Sequence, residues 1–458
     1  MRLSDETSGH LPAHVARPGY DRTAQRRGIV HLGIGAFTRA HQAVHTDAAM
    51  AAGDRDWAIT GVSLRSAGVA EALVPQDGLY TVTGRRDAGA RVQLVGAVRE
   101  LLVAPRDPAA VIAALADPAT RIVTLTVTEK GYCLAPDRSL DLAAVRAADP
   151  GIYHYLAQGM AARRAAGLPG FTLVSCDNLA GNGERLGQAL AEWLDATDPA
   201  LARWCATECA FPSTMVDRIV PAATAAVLDD ADARLGMRDE GALITEPFHQ
   251  WVIEDRFAGP RPRWEAGGAQ IVTDVRPFET AKLRMLNGAH SALAYLGLAA
   301  GYAHVHEAIG DPTIRRTVER LMREEAAPTV DRAPDQDLDA YAGALLGRFA
   351  NAALPHRLAQ IATDGSQKIG PRWLEPLRIN LAAGRRSPAT LAALAAWLRF
   401  VRADAHRVDD PMADALARCW TIAGTQGVVD AILGPRGILP AGAAIDDTDR
   451  AALTRLLR

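Results

Sequence analysis

What this chain of 458 residues has little of narrows its class. Its five cysteines, Cys133, Cys176, Cys205, Cys209 and Cys419, are too few, too scattered and odd in number for a disulfide framework. Cys205-x-x-x-Cys209 has no second ligand pair nearby, so no structural metal is expected. No apolar run reaches the ~18–20 residues of a membrane span. The first residues, MRLSDETSGHLPAHV, carry no apolar core of a secretory signal. A basic excess is also missing: 50 Lys and Arg stand against 53 Asp and Glu, which argues against nucleic-acid or anionic-membrane partners. There is no internal repeat and no long low-complexity stretch. The expectation is a cytoplasmic globular enzyme. Single cores stop growing near ~250–300 residues, so two domains are expected.

The first half alternates short β-rich runs with helical stretches. The runs are Ile29–Gly35, Trp57–Arg65, Val92–Val98, Ile122–Thr128 and Phe171–Cys176; helices are predicted at Thr38–Ala52, Pro108–Ala116, Ile152–Ala166 and Glu184–Ala196. This pattern predicts a parallel sheet covered on both faces, and several runs are apolar on both sides as buried parallel strands are. Two further β-like stretches follow, Ala242–Glu254 and Ala269–Val275. After about Pro277 alanine, leucine and arginine dominate, and Lys282–Ala299, Thr313–Glu325, Leu338–Phe349 and Ser387–Arg402 read as helices. Gly365–Pro371 and Gly434–Gly442 read as breaks between them. The expected division is an α/β domain over 1–275, built on a parallel-sheet Rossmann-type core, and an all-helical domain over 276–458.

Gly33-x-Gly35 closes an apolar strand and opens a helix in the first βα unit, where the dinucleotide fold holds its phosphates. Thr38 replaces the usual third glycine. The motif reads either as a phosphate turn or as an ordinary strand-to-helix turn. The second strand ends in VSLRSAG with no acid before Glu71, so a preference between NAD and NADP is not written there; Arg65 suits a 2′-phosphate or is merely solvated. A second constellation, Glu279-x-x-Lys282-x4-Asn287-x-x-His290, lies in a helix that is otherwise apolar. At 100° per residue, with Lys282 at zero, Glu279 falls at about 60°, His290 at about 80° and Asn287 at about 140°. Buried polar groups need partners or line a site, and the residues alone leave both readings open. Asn178 follows a buried strand in SCDNLAGNGE, which is also ordinary turn chemistry. Glu129 and Lys130 end the strand in TVTEKGY, and Asp217-Arg218 sits in FPSTMVDRIVP as a pair that a structural ion pair would equally explain.

Taken together, GIGAFTRAHQAVHTD, LTVTEKGY, SCDNLAGNGE, FPSTMVDRIVP, EPFHQWVIED, KLRMLNGAHSALAYLG and DGSQK resemble the polyol-specific long-chain dehydrogenase/reductase family, which includes the mannitol 2-dehydrogenases. The resemblance implies an N-terminal Rossmann-type domain, a helical C-terminal domain, an active site between them, no metal, and NAD as cofactor with NADP not excluded. It implies that Lys282 is the catalytic acid/base, that Asn178 and Asn287 hydrogen-bond the substrate oxygen, that His290 positions the substrate, and that Glu279 relays the proton. Gly33, Ile34, Gly35, Ala36, Phe37, Arg65, Thr128 and Asp217 fall to the cofactor. Hydride delivery builds charge on a ketone oxygen, which preplaced donors and then a proton must meet. A desolvated lysine near an oxidised nicotinamide is expected to lose its proton well below ~10.4.

Within the family the chain is most similar to the fructuronate reductases, through TEKGYC and KLRMLNG. Gln360 stands where mannitol enzymes carry a substrate-binding arginine, and His249 stands where arginine is usual. The implied substrate is a small sugar acid, with Lys130 as first partner for its carboxylate and His249 and Arg372 in reserve. The rival readings are a mannitol or arabinitol 2-dehydrogenase, a non-catalytic dinucleotide sensor, and a lysine Schiff-base enzyme.

Overall fold

The computed structural model describes residues 1–86, 89–148, 150–404 and 407–458. The chain divides into two compact units, Met1–Val275 and Arg276–Arg458.

The first unit is built on a five-stranded, all-parallel sheet. Its strands are β1 (Arg27–Leu32), β2 (Ala58–Ser63), β5 (Val98–Val103), β6 (Ile122–Leu125) and β7 (Thr172–Ser175), in the order β5-β2-β1-β6-β7. Alternate side chains point to opposite faces. Val30, Leu32, Val123, Leu125 and Leu173 therefore join one core with the helices Pro108–Ala116, Ile152–Ala165 and Asn182–Thr197. Ile29, Ile59, Ile122 and Val174 join another with Trp251 and Trp264. Both faces are covered, which is why the strands read as nearly continuous apolar runs. Two smaller sheets complete the unit. β3 (Tyr80–Arg86) pairs with β4 (Gly89–Val95) and with β9 (Leu243–Thr245); β10 (Gln250–Glu254) pairs with β8 (Thr214–Asp217) and with β11 (Gln270–Val272).

Several sequence expectations are corrected. Val92–Val98 is not one strand: β4 stops at Val95 and β5 starts at Val98. The break is held by distant groups, since Asp47 accepts the Gly96 N–H at 3.0 Å and Arg22 donates to the Gly96 carbonyl at 2.9 Å. Thr38–Ala52 is not one helix but two, α1 (Ala36–Ala40) and α2 (Gln42–Ala51), because His41 adopts φ −125° and ψ −84° between them. Ala242–Glu254 is split into β9 and β10, which lie in different sheets.

The second unit contains no strand among the described residues. The helix Gly288–Ala299 runs through its core and packs against Pro388–Phe400 and Leu358–Ile361, with Ala289, Ala292, Leu293 and Ala294 fully buried. Gly365–Pro371 is helical rather than a break: Gly365–Ile369 is a short helix that runs straight into a π-helical turn, Gly370–Leu374. Further π-helical turns occupy Lys282–Asn287 and Leu321–Ala326. No helix among the described residues is long and apolar enough to cross a membrane.

Candidate functional site

Strand order reverses between β1 and β6, because β1 lies between β2 and β6. At such a switch point the loops leaving the two strands part and form a crevice at the C-terminal ends. Gly33 follows β1 there with φ +92°, and a Cβ on it would meet the Thr126 carbonyl oxygen at 2.4 Å. Only glycine satisfies both conditions. The N–H groups of Gly33 and Ile34 donate to Val62 at 2.9 and 3.1 Å, and the Ile34 side chain is buried in the core. Gly35, Ala36 and Phe37 are half-buried. The Gly35 carbonyl accepts from Arg39 Nε at 3.2 Å, while Arg39 Nη1 reaches Gly241 at 2.8 Å, so a buried arginine locks the turn. Thr38, in the place of the third glycine, is buried with Oγ1 2.7 Å from His31 Nε2. Burial pushes the His31 pKa down to about 3, so the imidazole is neutral. Arg65 is exposed beyond the end of β2.

The loops after β6 and β7 are tied together by a residue that sequence reading treated as turn chemistry. Asp177 accepts the Val127 N–H at 3.0 Å, the Thr128 N–H at 2.8 Å and the Tyr132 hydroxyl at 2.8 Å. Tyr132 Oη also lies 2.6 Å from Ser175 Oγ. Burial raises the Asp177 pKa against the pull of these donors. Held this way, Thr128 has φ +65° and ψ +160°, a region essentially reserved for glycine. Strain of this kind clusters at ligand sites. Thr128, Glu129, Lys130 and Asn178 are all exposed around this clamp. Buried Asn182 braces it from behind, donating to the Asp177 carbonyl at 3.0 Å and accepting the Thr214 N–H at 2.8 Å. Neither Asp177 nor Asn182 carried a signal separable from a polar turn.

In the second unit the π-helical turn changes the helix phase on which the sequence argument rested. Ordinary α-helix would set Lys282 and Asn287 about 140° apart. An i→i+5 turn takes up one extra residue, which rotates everything downstream by about 100°. Relative to Lys282, Asn287 then lies near 40° and His290 near −20°, with Glu279 still near 60° (all approximate). The four polar groups share a narrower arc than a regular helix allows. Each of the four is partly exposed, while Met285, Leu286 and Ala289 on the other side are buried.

Side chains from neighbouring helices meet the carbonyls at the end of this turn. Arg372 Nη1 donates to Ser291 Oγ at 2.7 Å and to the Asn287 carbonyl at 3.4 Å; Trp373 Nε1 donates to the Gly288 carbonyl at 3.1 Å. Burial lowers the Arg372 pKa to about 10, which leaves it charged. Arg284 within the turn is buried, donates to the Thr329 carbonyl and pairs with Glu375 at 3.0 Å. The His290 ring packs on Phe349, with centroids 4.8 Å apart, and lies edge-on to His356 at 5.7 Å. No motif pointed to His356, whose pKa burial lowers. Gln360 is exposed on the short helix Leu358–Ile361.

Asp217 is buried at the end of β8, opposite Gln250 of β10, and so belongs to a small sheet rather than to the parallel one. His249 precedes β10 with Nδ1 3.2 Å from His45 Nε2; burial and the nearby Arg218 lower its pKa to about 4. Phe37, His41, His45, His249 and Trp251 form a continuous run of ring contacts.

Comparison with known proteins agrees with this architecture. The models for the mannitol dehydrogenase Rossmann domain and the mannitol dehydrogenase C-terminal domain match residues 27–266 and 274–439. The D-mannonate oxidoreductase of Escherichia coli (strain K12) is 42% identical over 450 residues, which covers 93% of this chain and 91% of that one. A D-sorbitol dehydrogenase solved in substrate-free form matches with a TM-score of 0.90 at 33% identity, covering 100% of this chain and 96% of that one. Pseudomonas fluorescens mannitol 2-dehydrogenase, solved as a ternary complex with NAD and D-mannitol, matches with a TM-score of 0.81 at 32% identity and the same coverage. With both domains matched and such relatives spanning nearly the whole chain, the protein belongs to the mannitol dehydrogenase family.

Proposed function

We propose that this chain is an NAD(H)-dependent oxidoreductase that interconverts D-fructuronate and D-mannonate, with Lys282 as proton donor and acceptor. The observation that carries the reading is the π-helical turn that gathers Lys282, Asn287 and His290 on one face. The crevice between β1 and β6 fits a dinucleotide. Gly33 leaves it free of side chain, the turn is locked by Arg39, and Thr128 stands strained at its rim. When bound, the nicotinamide exchanges hydride with the substrate carbon. Gly35 and Ala36 would hold the phosphates, with Gly33 leaving room for their approach, and Arg65 the adenosine ribose or a 2′-phosphate.

The remaining chemistry belongs to the chain. Asn178 and Asn287 donate hydrogen bonds to the substrate oxygen, where charge develops, and Lys282 supplies or removes the proton there. His290, packed between Phe349 and His356, holds the substrate in place. Glu279 passes the proton to solvent, Asp217 lies toward the cofactor, and exposed Lys130 takes the carboxylate of the sugar acid. The sugar-acid assignment is supported by the likeness to D-mannonate oxidoreductase and by Gln360 in place of an arginine. The likeness to a mannitol 2-dehydrogenase solved with NAD and D-mannitol favours a second reading, a neutral-polyol dehydrogenase with the same mechanism. Following NADH oxidation with fructuronate, tagaturonate, fructose and xylulose separates them. Faster turnover of mannitol than of mannonate in the reverse direction would reject the sugar-acid reading.

A further inference from the structure

The first unit contains a cavity of about 520 Å³ that none of the residues from Gly33 to Phe37, nor Thr128, nor Asn178, lines. One wall is a single face of the β3–β4 ribbon. Gly84 and Arg86 share that face of β3, and their partners across the ribbon are Arg91 and Gly89 respectively. Each arginine thus stands opposite a glycine, and the two absent side chains leave room between the guanidinium groups. Arg85, on the back of the same ribbon, is paired with Asp230 at 2.5 Å. Arg86 and Arg91 are exposed and have no hydrogen-bond or ion-pair partner among the described residues.

The opposite wall carries Arg218 and His249. Arg218 is fixed by backbone alone: Nε and Nη2 donate to the Glu246 carbonyl at 3.3 and 3.2 Å, and Nη1 donates to Ala40. The Glu246 carboxylate, the charge beside it, is turned to the Ile219 N–H at 2.7 Å. Among the described residues, three guanidiniums and an imidazole face this space and no carboxylate lines it. A wall of one sign around a partly enclosed space concentrates ions of the other sign. Guanidinium forks match the paired oxygens of phosphates and carboxylates. We propose that this cavity binds a small organic polyanion, carrying a phosphate group or several carboxylates, at a site separate from the dinucleotide turn.

The test is titration calorimetry on the full chain at fixed ionic strength, with saturating NADH present so that the dinucleotide turn is filled. Pyrophosphate serves as the phosphate probe and citrate as the polycarboxylate probe. At least one is expected to bind with a Kd below about 1 mM, and which one does so identifies the source of the charge. Arg86→Ser with Arg91→Ser should weaken that binding roughly tenfold or more without altering the circular dichroism spectrum or melting temperature. Gly84→Leu, which fills the floor and keeps every charge, should weaken it as well. The proposal fails if neither probe binds, if the double variant binds as tightly as the wild type, or if binding disappears when NADH is present.

Discussion

Asp177→Ala tests whether the strained conformation of Thr128 is imposed by one carboxylate. The substitution removes two charge-assisted bonds to backbone amides, at 3.0 and 2.8 Å, and one to the Tyr132 hydroxyl. Bonds of this kind contribute ~1.5–3 kcal/mol each. Three effects offset the loss: Tyr132 keeps Ser175, the exposed Thr128 amide regains water, and the cost of burying the carboxylate disappears. Thr128 is also released from strain worth ~1–3 kcal/mol. The net destabilisation is about 2 kcal/mol, or a fall of roughly 4–8 °C in melting temperature for a unit of this size. Activity should fall further, by roughly 10–100-fold in kcat/KM, because Lys130 and Asn178 flank the released segment. Thr128→Gly makes the reasoning sharper. Glycine adopts this conformation freely at an entropic cost of ~0.5–1 kcal/mol, so the variant should be about 1 kcal/mol more stable than the wild type. In the Asp177→Ala background the gain should vanish, since the threonine has already relaxed. Thermal unfolding of the four proteins reads the coupling directly. Equal gains in both backgrounds, or a loss in the wild type, would show that Asp177 does not impose the strain.

Lys282→Ala should lower turnover by ~10²–10⁴ while NADH binding, followed by fluorescence, stays within a small factor; more than about a tenth of wild-type activity would make the lysine structural. Deleting Leu283 should convert the π-helical turn to regular helix and leave Asn287 near 40° and His290 near −20° from Lys282 (both approximate), because four and seven residues at about 100° each give the same angles. Helix content by circular dichroism should then persist and measurable activity should survive, and a folded deletion variant with no activity would contradict the phase argument. Lys130→Met should depress kcat/KM for fructuronate by roughly 30-fold and leave fructose little changed, whereas equal losses would assign the lysine to the cofactor or to the fold. The buried His31 gives the pH dependence of stability. Its folded pKa of about 3 lies below the unfolded value near ~6.5, so between these values the unfolded chain binds the extra proton. Its contribution is therefore complete above pH ~6.5 and falls by ~1.4 kcal/mol per unit below it, about 2 kcal/mol by pH 5. His45 and His249 are lowered in the same direction and steepen the slope. Urea midpoints at pH 7 and pH 5 measure it, and a His31→Gln variant with an undiminished slope would remove His31 as its source.

The parts of this protein that were legible in its sequence rest on local rules. The parallel sheet could be read because strands buried on both faces are mostly apolar, and β1, β2, β6 and β7 are, with buried polar residues such as His31 and Thr124 among them. The turn after β1 could be read because its geometry accepts only glycine at position 33. Pro108–Ala116 and Leu338–Phe349 have in the structure the bounds that their pattern predicted, Pro108 opening the first and Asp337 capping the second.

Tertiary contact decided the rest. The residues of KLRMLN favour regular helix, and nothing local in them asks for an i→i+5 turn; the donors that meet it, Arg372 and Trp373, lie some eighty-five positions away. Gly96 breaks an apolar run because Asp47 and Arg22 take its two backbone groups. Asp177 is a clamp rather than a turn residue because β6 lies beside β7 and brings Val127 and Thr128 within its reach. In each case the polar groups of the backbone chose partners remote in the chain. A hydrogen bond requires contact whatever the separation in sequence, so periodicity located the elements while only the packed structure showed which of their atoms meet.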